Sequence, residues 1–162
     1  MKVGIDSYSY HRYFGEVYPD QADPGVRWTF NDFVRRACEL EVDGVSLETC
    51  YFESLEEGHL SEIKAALDEK GLERVLAWGH PDGLEAGHGK KAWRELNSLI
   101  PKVRLAGTGI LRIVASSRRF RDEPHEPQIR AIVRMLKEST RIAADHGVVL
   151  ALENHIDYTS AE

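Results

Sequence analysis

The chain has 162 residues, the usual size of one domain, and 42% apolar, 30% charged and 9% aromatic residues mark an ordinary globular mixture. No stretch approaches the ~20 consecutive apolar residues of a membrane-crossing helix, so none is expected. With 21 Lys and Arg against 27 Asp and Glu the net charge is −6, which argues against a nucleic-acid partner, because phosphate binding draws its affinity from clustered cations.

Met1 to Ser9 (MKVGIDSYS) lacks the long apolar run and small-residue cleavage site of an export signal. The two cysteines, Cys38 and Cys50, are too few for a disulfide scaffold and have no metal-ligand spacing, so a cytoplasmic protein is expected. Val3 to Ser7 starts apolar and precedes a long polar and aromatic loop, the pattern of a buried strand. A helix is predicted from Thr29, because Asp32, three residues after a Thr cap, sets a carboxylate against unpaired N–H groups. Phe30, Phe33, Val34, Ala37 and Leu40 then repeat at helical spacing, and Cys38 is read as core.

Gly44 to Glu48 follows as a second strand that ends on a carboxylate. Ser61 to Lys70 predicts a helix with Ile63, Ala66 and Leu67 on one face, closed by Gly71, and Arg74 to Trp78 a third strand. Ala92 to Ala106 is amphipathic but must kink or restart at Pro101, which has no N–H to donate. Ile110 to Ala115 is read as strand four. Pro127, at a position where a first helical turn accepts proline, opens a long helix with Ile129, Ile132, Val133, Leu136, Ile142 and Ala143 facing inward. Val148 to Glu153 (VVLALE), almost wholly apolar, reads as a fifth strand covered on both faces, and Thr159 or Ser160 as the cap of a further helix.

Strand and helix thus alternate four times before a fifth strand, a pattern that builds a parallel sheet, either doubly wound or part of an eight-stranded barrel of about 250 residues. The whole of 1–162 is expected to be one domain: the amino-terminal part of a (β/α)8 TIM barrel lacking strands six to eight. An open sheet of this kind leaves two unpaired edges, so association with other copies, or with a second chain supplying strands, is expected.

In parallel α/β folds functional groups gather beyond the carboxyl ends of the strands. That position picks out Tyr8, Tyr10 and His11 after strand one, Glu48 and Tyr51 after strand two, and Trp78 and His80 after strand three. It also picks out Ser116 and Arg118 after strand four, and Glu153, Asn154 and His155 after strand five. Aromatic rings and imidazoles around carboxylates suit a sugar or polyol, whose C–H faces stack and whose hydroxyls pair. Glu153, a charge at the end of an apolar strand, requires a partner, either a divalent metal or an Arg, unless it caps the next helix. Glu48 poses the same demand, met by an Arg or by substrate. His80, in the turn-rich WGHPDG, and His155 are each either ligand contacts or ordinary loop histidines. The Arg118, Arg119 and Arg121 run reads as a solvated loop, with binding of an anionic substrate as the alternative.

MKVGIDSYS, DGVSLET, the WGH segment and above all LALENH followed by DYTS resemble the amino-terminal portion of the sugar phosphate isomerase/epimerase family, the xylose-isomerase-like TIM barrels. The resemblance implies an isomerase or epimerase that moves a proton next to a sugar carbonyl, with a divalent metal (Mn²⁺, Mg²⁺, Co²⁺ or Zn²⁺) bound partly by Glu153, which makes it the candidate catalytic and metal residue. Tyr8, Glu48, Trp78, His80 and His155 are then candidates for the substrate. The remaining ligands, from strands six to eight, have no counterpart in these residues, so the 162 residues alone are expected to be inactive. Metal-dependent C-glycoside lyases share the resemblance and stay open as an alternative, as does a non-catalytic half-barrel that binds a partner chain. The endonuclease IV type fits less well, since strand four ends in VASS without a histidine and the net charge is −6.

Overall fold

A computed structural model describes residues 1–155. Five strands, β1 (Gly4–Asp6), β2 (Gly44–Glu48), β3 (Glu73–Ala77), β4 (Ile110–Val114) and β5 (Val149–Glu153), alternate with four helices, α1 (Phe30–Glu39), α2 (Glu57–Glu69), α3 (Lys90–Leu99) and α4 (His125–Asp145). Every neighbouring pair is parallel and the spatial order β1-β2-β3-β4-β5 is the chain order. A doubly wound sheet reverses its strand order part-way. Here the winding never reverses, so the described residues form an incomplete (β/α)8 barrel of five strands and four intervening helices.

Alternation along the strands sorts side chains between two faces. On the outer face Val45, Leu47, Leu76, Leu111 and Ile113 are at most 4% exposed and join one core with residues of all four helices. On the inner face the register sets Glu48 level with Ala77 and Ala77 level with Arg112, while Asp6 sits beside Ser46 and Glu153 beside Val114. Asp6, Glu48, Arg112 and Glu153, from four strands, therefore share the inner face toward the carboxyl ends of the strands.

The Thr29 cap forms a full capping box: its hydroxyl accepts from the Asp32 N–H and the Asp32 carboxylate accepts from the Thr29 N–H at 2.8 Å. The amphipathic segment stops at Leu99 and continues as a 3-10 helix, Ile100–Ala106, with Pro101 near its start, as the missing N–H demands. α2 starts at Glu57, four residues ahead of the expected Ser61.

Four burial expectations are corrected. The first strand is not buried: Val3 is exposed, and Ile5 and Asp6 are half-buried, because β1 has a paired neighbour on one side only among the described residues. Cys38 is exposed, because the buried stripe of α1 is Phe33, Val34 and Ala37 and position 38 lies about 100° further round the helix than Ala37. Val133 is also exposed, while α4 buries Gln128 and Ser139. Both polar groups are satisfied, Gln128 by donating to the Phe120 and Glu123 carbonyls and Ser139 by donating to Asn97 and accepting from the Trp93 indole. β5 is not covered on both faces: Val149 and Leu152 are 63% and 52% exposed, one on each face. The further helix cap at Thr159 or Ser160 lies outside the described residues.

Candidate active site

At the carboxyl ends of the strands lies a cavity of about 790 Å³. The sheet register assembles its floor. Asp6 ends β1, and its Oδ1 accepts from the Tyr8 N–H at 2.8 Å, starting a 3-10 segment, Ser7–Phe14. Its Oδ2 accepts from Arg112 Nη2 at 3.1 Å. Arg112 Nη2 also reaches the Glu48 carboxylate, and its Nη1 donates to Glu153 Oε2 at 2.5 Å. One guanidinium thus holds three carboxylates from three other strands. The Glu48 N–H donates to the buried Ser7 hydroxyl at 2.9 Å, which ties the ends of β1 and β2 together.

Three acids against one base leave an excess of negative charge on this floor. Burial, partly opposed by Arg112 and reinforced by Asp6 and Glu153, pushes the Glu48 carboxyl up to about 7. The Glu48 side chain is only 10% exposed, against 30% for Glu153.

The wall above β3 is WGHPDG. Trp78 is nearly buried and stacks on His80 with ring centroids 5.1 Å apart. The Asp82 N–H donates to His80 Nδ1 at 3.3 Å, which leaves Nε2 to carry the proton. Gly79 is required by close approach: a Cβ there would lie 2.5 Å from Cys50 Sγ and 2.9 Å from Glu48 Oε2.

The opposite wall is the long loop after β1. Trp28 stacks on Tyr13 and contacts Tyr10, which in turn meets Phe33 edge-on, so the loop carries an aromatic core of its own. Gly15, with φ of 98°, turns the chain so that Glu16 lines the cavity. Phe14 stacks flat on Tyr51 at 4.7 Å.

All six residues singled out for substrate, metal or catalysis, Tyr8, Glu48, Trp78, His80, Glu153 and His155, line this cavity, His155 at its exposed rim. Tyr51, from the wider positional list, lines it too; Tyr10, His11, Ser116, Arg118 and Asn154 do not. Of the partners left open for Glu153, the structure supplies an Arg. Sequence reasoning missed Arg112, Asp6, Glu16 and Tyr18. For Arg112 a signal existed: a charge in the middle of the apolar run ILRIVA has to face a polar interior. Among the described residues no three His, Cys, Asp or Glu side chains are grouped so as to hold a metal ion. The carboxylates converge on a guanidinium instead, so these residues do not by themselves complete a metal site.

The model of the xylose isomerase-like TIM barrel family matches residues 34–161, most of the chain. The chain belongs to this family. No curated protein gives a significant match. Among solved structures, D-psicose 3-epimerase from Clostridium cellulolyticum H10 is similar at 15% identity and a TM-score of 0.73, covering 99% of this chain and 57% of the epimerase. A 3-keto-D-glucoside 4-epimerase from E. coli matches at 20% identity and a TM-score of 0.67, covering 98% and 57% of the two chains. A probable 3-DHS dehydratase involved in petrobactin synthesis, from Bacillus anthracis, matches at 14% identity and 0.63, covering 97% and 53%. This xylose isomerase-like chain spans little more than half the length of those structures, and at such identities the likeness concerns the fold. No helix among the described residues is long and apolar enough to cross a membrane.

Proposed function

We propose that the cavity binds a sugar or related polyol and that the intact gene product is a metal-dependent isomerase or epimerase working by proton transfer next to a carbonyl. The observation that carries this reading is the convergence, at the ends of five parallel strands, of Glu48, Glu153, Arg112 and His80 with the rings of Trp78 and Tyr8 in one cavity of about 790 Å³. Trp78 and Tyr8 offer faces to the C–H side of a sugar. The His80 Nε2–H would serve as a donor for a substrate oxygen, and His155, which lines the rim, is proposed to contact substrate. Glu48, with its carboxyl at about 7, can hold or release a proton near neutral pH, the property that proton transfer at carbon requires.

Metal dependence enters this proposal from the family resemblance. A divalent ion, when bound, polarises a carbonyl or hydroxyl. Glu153 is the ligand and catalytic carboxylate this chain would contribute, and the 162 residues alone are proposed to be inactive. Among the described residues β5 pairs with β4 alone, and its other edge is proposed to be covered by strands of a second chain or another copy, since unpaired N–H and C=O groups recruit partners. Nucleic acid is not a proposed partner, and the proposed compartment is the cytoplasm.

The test is to incubate the intact gene product with ketohexoses and a divalent ion in D₂O. Deuterium should enter at the carbon beside the carbonyl as the epimer or isomer accumulates, and Glu153→Gln should abolish both and lower the bound metal. Ketohexose binding without any exchange, or unchanged metal content in Glu153→Gln, would overturn the assignment.

A further inference from the structure

The loop wall carries a hydrogen-bond chain that the proposed chemistry does not use. Tyr18 Oη donates to Glu16 Oε1 at 2.8 Å, and Tyr51 Oη donates to Glu16 Oε2. Tyr8 Oη lies 2.5 Å from Tyr18 Oη. A carboxylate only accepts, and each phenol has a single proton. Tyr18 therefore spends its proton on Glu16, and the Tyr8–Tyr18 bond must be donated by Tyr8. All three phenol protons then point along the chain toward Glu16, leaving the phenol oxygens only lone pairs to offer the cavity that they line.

Glu16 itself is locked in place. Its N–H donates to the His11 carbonyl at 3.0 Å, and its own carbonyl lies 2.6 Å from His11 Nδ1, which must donate because a carbonyl cannot. The His11 ring stacks on Tyr8 at 5.1 Å and meets Tyr18 at 5.2 Å, so one imidazole fixes the residue that accepts and two of the phenols in its chain. The phenols of Tyr18 and Tyr51 are held above their ordinary range, by burial first and then by hydrogen bonding, to Tyr8 and Glu16 for Tyr18 and to Glu16 for Tyr51.

We infer that Glu16 is a positioning residue that orders the protons of Tyr8, Tyr18 and Tyr51, so that these phenols face the cavity as acceptors and select ligands by their hydroxyl donors. The inference rests on the polyol reading above and deepens it. A hydroxyl of the ligand can donate to this wall. A ligand with fluorine or a methoxy group at the same carbon brings no proton and meets a lone pair with a lone pair. The wall therefore separates a free polyol from its O-alkylated, deoxy or fluorinated counterparts even where size is unchanged.

The variant that tests this is Glu16→Gln, which keeps the shape but replaces one accepting oxygen by a donating NH₂ and so forces one phenol proton out toward the cavity. The probes are D-fructose and a set of its monodeoxyfluoro derivatives, with binding to the intact gene product measured by calorimetry. Wild type should bind fructose about tenfold more tightly than at least one fluoro derivative, the loss expected for one hydrogen bond to a well-placed acceptor. Glu16→Gln should weaken fructose about tenfold and shrink that ratio toward one. In parallel, the Raman doublet of the tyrosine rings, whose intensity ratio distinguishes a donating phenol from an accepting one, should shift away from the donor limit. Tyr51→Phe, which removes one link and leaves the Tyr8 to Tyr18 to Glu16 chain intact, should give a smaller shift and a smaller loss. A Glu16→Gln protein that keeps both the wild-type doublet and the wild-type discrimination would overturn the inference. Wild type that binds no ketohexose would sink the polyol reading and this selectivity with it. Binding of fructose and all fluoro derivatives with one affinity would overturn the selectivity alone.

Discussion

The floor of the cavity and its loop wall reach the same place by opposite routes. On the floor, Arg112 meets Asp6 across 106 positions of sequence and Glu48 across 64, so those contacts exist only when the strands are paired in register. In the wall, Tyr8 meets Tyr18 across 10 positions and Tyr18 meets Glu16 across 2, and aromatic stacking around Trp28 holds the segment on itself. Tyr51 reaches Glu16 from a distant element, after β2. The floor is therefore an electrostatic report on the whole sheet, while the wall is a local structure resting on it. Substitutions in the floor should cost global stability, and those in the wall should change binding and local order first.

The largest effect expected is from Arg112→Leu. It leaves Asp6, Glu48 and Glu153 facing one another without a cation, and removing one partner of a partly buried ion cluster costs on the order of 3 kcal/mol. Denaturant unfolding at pH 8 should show a midpoint lowered accordingly, with part of the loss recovered at pH 5, below the value of about 7 at which Glu48 gives up its proton. A midpoint unchanged at pH 8 would mean that the guanidinium does not hold the floor together. Gly79→Ala comes next, at about 2 kcal/mol, because the new methyl has to displace Cys50 Sγ and the Glu48 carboxylate. Its cost should fall when Cys50→Ala is added, and a strictly additive double variant would refute that contact.

A third measurement isolates Glu48. Its carboxyl is raised from the ordinary 4.5 to about 7, so between those values the native state holds more protons than the unfolded chain. This group therefore makes stability fall as pH rises from about 4.5 to about 7, by up to ~1.4 kcal/mol per pH unit. Glu48→Gln should flatten that stretch of the stability profile. An identical slope in the variant would place the titration elsewhere.

The same contrast explains what the sequence revealed. Strand positions were legible because each is a short apolar run bounded by turn residues, and Gly44–Glu48 appears with its bounds unchanged. The start of α2 was obscured by Glu57, Gly58 and His59, which carry no apolar periodicity, and Gly58 is a poor helix former. Glu48 and Glu153 were legible as charges at strand ends. Arg112 lies inside β4, and Asp6, the last residue of β1, lies inside the expected strand Val3 to Ser7, so both gain meaning only from the register, which no local pattern encodes. Glu16 and Tyr18 lie in a loop without periodicity, where only the folded contacts distinguish them from neighbouring polar residues.

The smallest effect concerns the hinge between wall and barrel. Thr29 closes the loop and caps α1, accepting from the Asp32 N–H at 3.3 Å while the Asp32 carboxylate accepts from the Thr29 N–H and hydroxyl, both at 2.8 Å. Thr29→Ala removes the hydroxyl, leaving the Asp32 N–H without its acceptor, at a cost of about 1 kcal/mol. If the wall is a local structure, that loss should appear mainly as faster amide exchange in the first turn of α1 and at Trp28, whose N–H donates to the Tyr13 carbonyl at 2.8 Å. Amides of β2 to β4 should keep their protection relative to global unfolding. Equal acceleration at Trp28 and at Leu76 or Leu111 beyond the global change would show that the wall and the floor unfold as one unit, and the division between them would not stand.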